Sequence, residues 1–164
     1  MAKGVGNGIP LAVVATRPEI AEVMKRKLFF NTNGGNPISS VIGSEVLKII
    51  DDEKLQENSL NMGNLLKKRL NELKKKYPII GDVRGEGLMI GVELVKVGTK
   101  DPNPIATNNI FERTKDLGLL IGKGGLFGNV FRIKPPMCIN KNDVDFACDV
   151  LDYAFEEESK GILT

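Results

Sequence analysis

The chain contains no histidine. That absence removes the Ser-His-Asp triad, the Cys-His pair and every histidine-ligated metal site from the chemistry open to it. Cysteine is scarce as well. Cys138 and Cys148 lie ten positions apart, a spacing that fits no zinc motif and predicts no metal site and a reduced, intracellular setting. Cys148 falls on an expected helix as a small core residue. No run approaches the roughly 18 apolar residues of a membrane helix. The net charge of +2 is too balanced to point to nucleic acid or an acidic membrane surface.

What remains is 164 residues, 41% hydrophobic and 27% charged, the composition of a soluble globular chain. The length suits one domain, or a small domain plus part of another. No targeting segment precedes the glycine-rich Met1-Ala2-Lys3-Gly4-Val5-Gly6-Asn7-Gly8, so the chain is expected to start partway through a larger protein. With histidine gone, a lysine amine is the leading nucleophile and base. Lys3, between small residues at the mouth of an apolar run, is the candidate.

Periodicity organises the rest. Leu11–Ala15 reads as a strand. Thr16-Arg17-Pro18-Glu19 reads as a capping box for a helix carrying Ile20, Val23, Met24 and Leu28. After the loop Phe29–Pro37, Asn36 and Pro37 are expected as N-cap and first residue of the next helix. A long helix is expected from about Asp52 to Tyr77, its Lys67-Lys68-Arg69 and Lys74-Lys75-Lys76 forming a solvated face rather than a nucleic-acid patch. Gly87–Val95 alternates as a strand with Leu88, Ile90, Val92 and Leu94 on one face. A helix over Ile105–Leu117, short strands at Leu119–Ile121 and Val130–Ile133, and a last helix capped by Asn140 follow. The boundary near Ile50 to Glu53 divides the chain into 1–50 and 51–164.

Three segments invite a ligand. Gly122-Lys123-Gly124-Gly125 matches the loop of RNA-binding KH domains. Gly128-Asn129 and the β-type Val130-Phe131 deny it the helix such a loop requires, so a tight strand connection is expected. Thr32-Asn33-Gly34-Gly35 precedes a helix N-terminus, a setting for a phosphate, though a plain capping turn explains it too. Arg132, between Phe131 and Ile133 on a strand, should project to the opposite face, where it could hold a carboxylate or form a structural ion pair. Arg84 reads as structural.

Taken in order, Met1-Ala2-Lys3-Gly4-Val5-Gly6-Asn7-Gly8-Ile9-Pro10, Phe30-Asn31-Thr32-Asn33-Gly34-Gly35-Asn36-Pro37, Gly81-Asp82-Val83-Arg84-Gly85-Glu86-Gly87-Leu88-Met89 and Phe131-Arg132-Ile133-Lys134-Pro135-Pro136-Met137-Cys138 resemble a class III pyridoxal-phosphate aminotransferase. Within that family the chain is most similar to the mitochondrial alanine–glyoxylate aminotransferase 2 group. The resemblance implies an α/β fold, the C-terminal part of the type I pyridoxal-phosphate transferase fold. Residues 1–50 would be the tail of the large domain and 51–164 the α+β small domain.

By the same resemblance Lys3 is the catalytic lysine that bonds to pyridoxal 5'-phosphate. Thr32 reaches the cofactor phosphate of the partner subunit, which implies a homodimer, and Arg132 binds the substrate α-carboxylate. The substrates implied are an amino acid and a 2-oxo acid, in mitochondria. Asn33 departs from the aromatic usual in the family. Ala2-Lys3-Gly4 differs from the Gly-Lys-Pro of the sister phospho-lyases and leans away from them. The carboxylate on the pyridine nitrogen, the aromatic on the ring face and the phosphate loop lie upstream of the lysine in the family, so this chain by itself is expected to be inactive. A class III lyase or racemase portion, or a non-catalytic module using Gly122 to Gly125, are the alternatives.

Overall fold

Asparagine offers a side-chain acceptor to the free N–H groups of a starting helix, and proline fits the next position because it has no N–H to leave unpaired. In a computed structural model of the chain, which describes residues 1–27 and 29–161, a helix starts where Asn36-Pro37 leads one to expect it. The chain divides into two units, Met1–Leu55 and Gln56–Thr164.

The first unit holds a short 3-10 turn, Lys3–Gly6, and two helices, α1 (Pro18–Lys25) and α2 (Pro37–Asp52). Leu11–Ala15 is not a strand. An apolar run makes no ladder without a neighbouring chain to pair with, and among the described residues the pairing is confined to Met1 and Val13, which exchange both backbone hydrogen bonds (2.7 and 2.9 Å). Arg17, not Thr16, is the N-cap of α1, and no side chain caps it. Ile20, Val23 and Met24 keep helical spacing but are exposed. Leu28, expected on the same stripe, lies outside the described residues. What packs in this unit is Leu11, which sits against Gly6 and Gly43, both buried. A Cβ on Gly6 would come within 3.0 Å of Leu11 Cβ, and one on Gly43 would overlap its side chain. The turn bearing Lys3 is thereby held against α2.

The second unit is an antiparallel sheet with helices on one face. Its elements are α3 (Leu55–Lys76), β1 (Ile80–Glu86), β2 (Met89–Leu94), α4 (Pro104–Asp116), β3 (Gly122–Gly124), β4 (Val130–Ile133) and α5 (Lys141–Ser159). The strand order is β1-β2-β4-β3. The long helix starts at Leu55 rather than Asp52, because α2 runs through Asp52 and Lys54 (φ 52°) turns the chain between them. β3 is displaced by three residues from the expected Leu119–Ile121, since the residues that pair with β4 are Gly122, Lys123 and Gly124. The Gly122–Gly125 segment therefore opens a strand connection and not a helix.

Alternation in β2 and β4 decides which face is covered. Leu88, Ile90, Val92 and Leu94 are all buried, as are Phe131 and Ile133. Ile90, Val92, Leu94, Phe131 and Ile133 share a core with Leu66, Leu70 and Leu73 of α3, Ile110 of α4, and Val144, Cys148, Leu151 and Phe155 of α5. Asn140 caps α5 through a reciprocal capping box with Asp143. Two asparagines do long-range work. Buried Asn129 donates to the Leu94 carbonyl at 2.9 Å, and Asn58 on α3 donates to the carbonyls of Met137 and Ile139 at 2.7 and 2.9 Å. Asn129 fastens the entry to β4, the strand that carries Arg132, and Asn58 holds the segment between β4 and α5.

Candidate active site

Lys3 opens the 3-10 turn with φ 57°, in the left-handed region. For a residue with a Cβ this conformation costs roughly 1–2 kcal/mol, and such outliers gather at functional positions. The side chain is exposed, and among the described residues no carboxylate pairs with it. Asn7 (φ 44°) and Gly8 (φ 109°) carry the turn onward, while the buried Gly6 lets Leu11 close under it.

Thr32 lies in the turn that leads into α2. The Gly34 N–H donates to the Asn31 carbonyl at 3.0 Å, the Asn33 N–H to Asn31 Oδ1 at 3.0 Å, and the Ser39 N–H to Asn36 Oδ1 at 3.1 Å. Gly35 takes φ 71°, which only glycine adopts without strain. Beside the turn is a cavity of about 330 Å³ lined by Asn31, Asn33, Gly35, Asn36, Ser39 and Ser40 among others. Polar lining at the N-terminus of a 16-residue helix suits an anionic group through the helix dipole, while the Ser39 N–H is taken by Asn36 Oδ1 and Pro37 has none to give; Thr32 itself does not line this cavity.

Arg132 belongs to the second unit. It is exposed on the face of the sheet away from the helices, while Phe131 and Ile133 are buried, as alternation demands. Gly91 of β2 and Gly122 of β3 pair with it from either side. Its stem lies over Gly122, where a Cβ would come 3.3 Å from Arg132 Nε. Among the described residues no carboxylate pairs with Arg132. Arg84 on the same face is ion-paired through one nitrogen. Its Nη1 donates to Asp82 Oδ2 at 3.0 Å and to Glu93 Oε2 at 2.6 Å, and these two bonds raise its pKa above the ordinary arginine value. The structural reading of Arg84 fits that geometry.

Lys3 and Thr32 thus fall in the first unit and Arg132 in the second. The pairing of Asp82 and Glu93 with Arg84 escapes sequence reading, since it depends on the β1–β2 register. The alternation of charge across Asp82-Val83-Arg84 was its one local sign. The basic clusters of α3 are partly tied down. Arg69 bonds Asp145 and Asp149 at 2.5 and 2.8 Å, and Lys76 bonds Asp152 at 2.7 Å. Burial pushes the Cys148 thiol up to about 11. Among the described residues no group of acidic or cysteine side chains is placed to hold a metal ion, and no helix is long and apolar enough to cross a membrane.

The chain is 54% identical over 158 residues to alanine–glyoxylate aminotransferase 2 homolog 2, mitochondrial, of Arabidopsis thaliana, covering 96% of this chain and 33% of that protein. It is 47% identical to the mitochondrial alanine–glyoxylate aminotransferase 2 of Homo sapiens, covering 96% of this chain and 31% of that one. The chain therefore spans about a third of the length of the curated relatives it matches. Among solved structures, a Bacillus anthracis aminotransferase superposes with a TM-score of 0.88 at 35% identity, over 96% of this chain and 38% of that one. The mixed α/β fold with its small antiparallel sheet is consistent with the C-terminal part of that larger fold. The model of the family described as aminotransferase class-III matches residues 1–155, and the chain belongs to that family.

Proposed function

We propose that this chain supplies the cofactor lysine and the substrate-carboxylate arginine of a pyridoxal-phosphate transaminase of the alanine–glyoxylate type. In this reading residues 1–50 are the tail of the large domain and 51–164 the small domain, the working enzyme is a homodimer, and it acts in mitochondria as its named relatives do. The observation that carries the reading is Lys3: an exposed amine, on a left-handed backbone, at the head of a glycine turn, in a chain without histidine.

The residues present suit the cofactor. A primary amine meets its aldehyde, and the N-terminus of α2, which follows the turn that holds Thr32, favours the negative charge of its phosphate. When bound, the cofactor supplies the electron sink that acidifies the substrate Cα–H bond. Lys3 Nζ both holds the cofactor and moves the proton at the substrate Cα, first as base and then as acid. Thr32 contributes its hydroxyl to the phosphate of the cofactor in the partner subunit. Arg132 grips the substrate carboxylate by a two-pronged contact and so fixes which way the Cα–H bond faces. Gly122, opposite Arg132, leaves room for the guanidinium stem.

The test is a graft of the whole chain in place of the matching third of the Arabidopsis relative. The expected result is transfer of the amino group from alanine to glyoxylate, abolished by Lys3→Ala. A folded, cofactor-bound graft that transfers no amino group, or one whose activity survives Lys3→Ala, would refute the reading. Incubated with pyridoxal phosphate but without the graft, the chain is expected to show no turnover.

A further inference from the structure

Arg132 stands between two glycines. Gly91 of β2 pairs with it on one side and Gly122 of β3 on the other, and Arg84 of β1 ends the same row beyond Gly91. Neither glycine has a left-handed φ, and glycine inside a strand weakens it, so what the two positions provide is room. They provide it unequally. A Cβ on Gly122 would come 3.0 Å from the Arg132 carbonyl oxygen, 3.3 Å from its Nε and 3.5 Å from its Cβ. A Cβ on Gly91 would meet Val130 Cγ1 at 3.5 Å and Arg84 Cγ at 3.8 Å, and no atom of Arg132 within 4 Å. The arginine stem therefore leans across β3 and away from β2.

That lean decides where the guanidinium is offered. β3 ends the strand order β1-β2-β4-β3, so a side chain lying across it reaches toward the edge of the sheet. Arg132 borders two cavities. One, of about 310 Å³, it shares with Gly91 and Arg84. The other, of about 390 Å³, it shares with Gly122, Leu120 and Lys134. The stem runs over Gly122 and so favours the second. Asp143 also lines that cavity, but its Oδ2 accepts the Asn140 N–H at 2.8 Å in the cap of α5. Two cations and one carboxylate leave the lining with a formal charge of +1, which favours an anion.

Resting on the reading of Arg132 as the residue that binds the substrate carboxylate, we propose that Gly122 is a positioning residue for that contact. Gly122 touches no substrate atom and acts through Arg132. With no side chain, it lets the arginine lie across β3 and receive the carboxylate at the edge of the sheet. The first side-chain atom at position 122 closes this seat. It presses on the Arg132 carbonyl, which the strand holds, and on Nε, which is free to swing. The guanidinium is then turned toward Gly91. A two-pronged contact depends on alignment, so the carboxylate is held less tightly while proton transfer at Lys3 is left intact.

The experiment uses the graft described above. Gly122→Ala is expected to raise the KM for alanine roughly tenfold, the loss of about one charged hydrogen bond, with kcat changing less than about twofold. A folding defect alone lowers the active fraction, and with it kcat, and leaves KM where it was. Gly91→Ala, on the side from which the stem turns, is expected to leave the KM unchanged. An unchanged KM in the folded Gly122→Ala graft overturns the proposal, as does an equal rise in Gly91→Ala. A second readout needs neither a variant nor turnover. In the 164-residue chain, the Arg132 Hε proton is expected to show a nuclear Overhauser contact to the Gly122 α-protons and none to those of Gly91. The reverse pattern, or contact with neither glycine, overturns the proposal. Arg132→Ala separates the two failures. If it leaves the KM for alanine unchanged, the reading of Arg132 is wrong and the role of Gly122 falls with it; if it raises that KM while Gly122→Ala changes nothing, only the role of Gly122 is wrong.

Discussion

Gly63 of α3 faces Gly87 at backbone distance: a Cβ on Gly63 would overlap the Gly87 carbonyl. The helix can lie this close to the β1–β2 turn because Gly63 has no side chain; a Cβ on Gly87 would meet Ser59 O at an ordinary 3.7 Å, and glycine serves there for its φ of 52°. Lys67, one turn along α3, strengthens the same contact by donating to the Gly85 carbonyl at 3.1 Å. That contact sets how closely α3 lies against the β1–β2 turn.

Gly63→Ala is expected to destabilise the chain by about 3 kcal/mol, the upper range for overpacking against a surface that cannot give way. Gly91→Ala, whose Cβ meets nothing closer than 3.5 Å, is expected to be neutral or slightly stabilising. Denaturant midpoints of the two variants check the contrast. Equal effects would mean that the Gly63–Gly87 approach is not tight.

Tyr77 and Asp152 carry an acid-dependent contribution. Burial pushes the Asp152 carboxyl up, but hydrogen bonds from Lys76 and Tyr77 outweigh it and hold the group below its ordinary 3.8. A carboxylate with a lowered folded pKa stabilises the fold above its unfolded value and loses that contribution as pH falls through the folded one. Stability is therefore expected to decline from about pH 4 downward. Tyr77→Phe keeps the ring stacked on Phe155, 5.4 Å between centroids, and removes the hydroxyl donor. It is expected to cost about 1 kcal/mol at neutral pH and to make the decline between pH 5 and pH 2, on the order of the window set by carboxylate pKa values, shallower. Urea midpoints across that range measure it. A Tyr77→Phe variant with the wild-type slope would contradict the assignment.

The two units are expected to differ in protection. In the first, Gly6 and Gly43 are the buried residues among those described, while Val14, Phe29, Phe30, Ile38 and Val41 are exposed. Little apolar burial means low local stability. Hydrogen exchange on the 164-residue chain is expected to show slow amides in β2, β4 and α5 and fast ones throughout α1 and the Asn31–Asn36 turn. Equal protection in both units would overturn this.

Much of the second unit is legible in its sequence because its elements follow local rules. Asn140 and Gly118 mark helix ends, and Phe131 and Ile133 around Arg132 announce which way the arginine points. β1 is harder to read. Gly81, Asp82, Arg84, Gly85 and Glu86 contribute no apolar alternation, since much of the strand faces outward, and it becomes a strand through its pairing with β2. β3 is misplaced by three residues for a related reason: Leu119–Ile121 has the apolar composition, but the glycines after it fit beside Arg132. Leu11–Ala15 shows the reverse error, apolar sequence without a partner to make it a strand. Of the candidate site, residue type and setting single out Lys3, whereas Thr32 and Arg132 take their proposed roles from resemblance to the family, a capping turn and an ion pair being equally open to them from the local sequence. The row that joins Arg84 to Gly91, Arg132 and Gly122 requires the register of four strands, which no local pattern contains.

The role of Lys3 is tested most directly by chemical trapping. The grafted protein is loaded with pyridoxal phosphate, reduced with borohydride, digested and mapped by mass spectrometry. The expected result is one dominant adduct, on the peptide bearing Lys3, and its disappearance in Lys3→Ala. A dominant adduct on any other lysine, or labelling unchanged in Lys3→Ala, would contradict it.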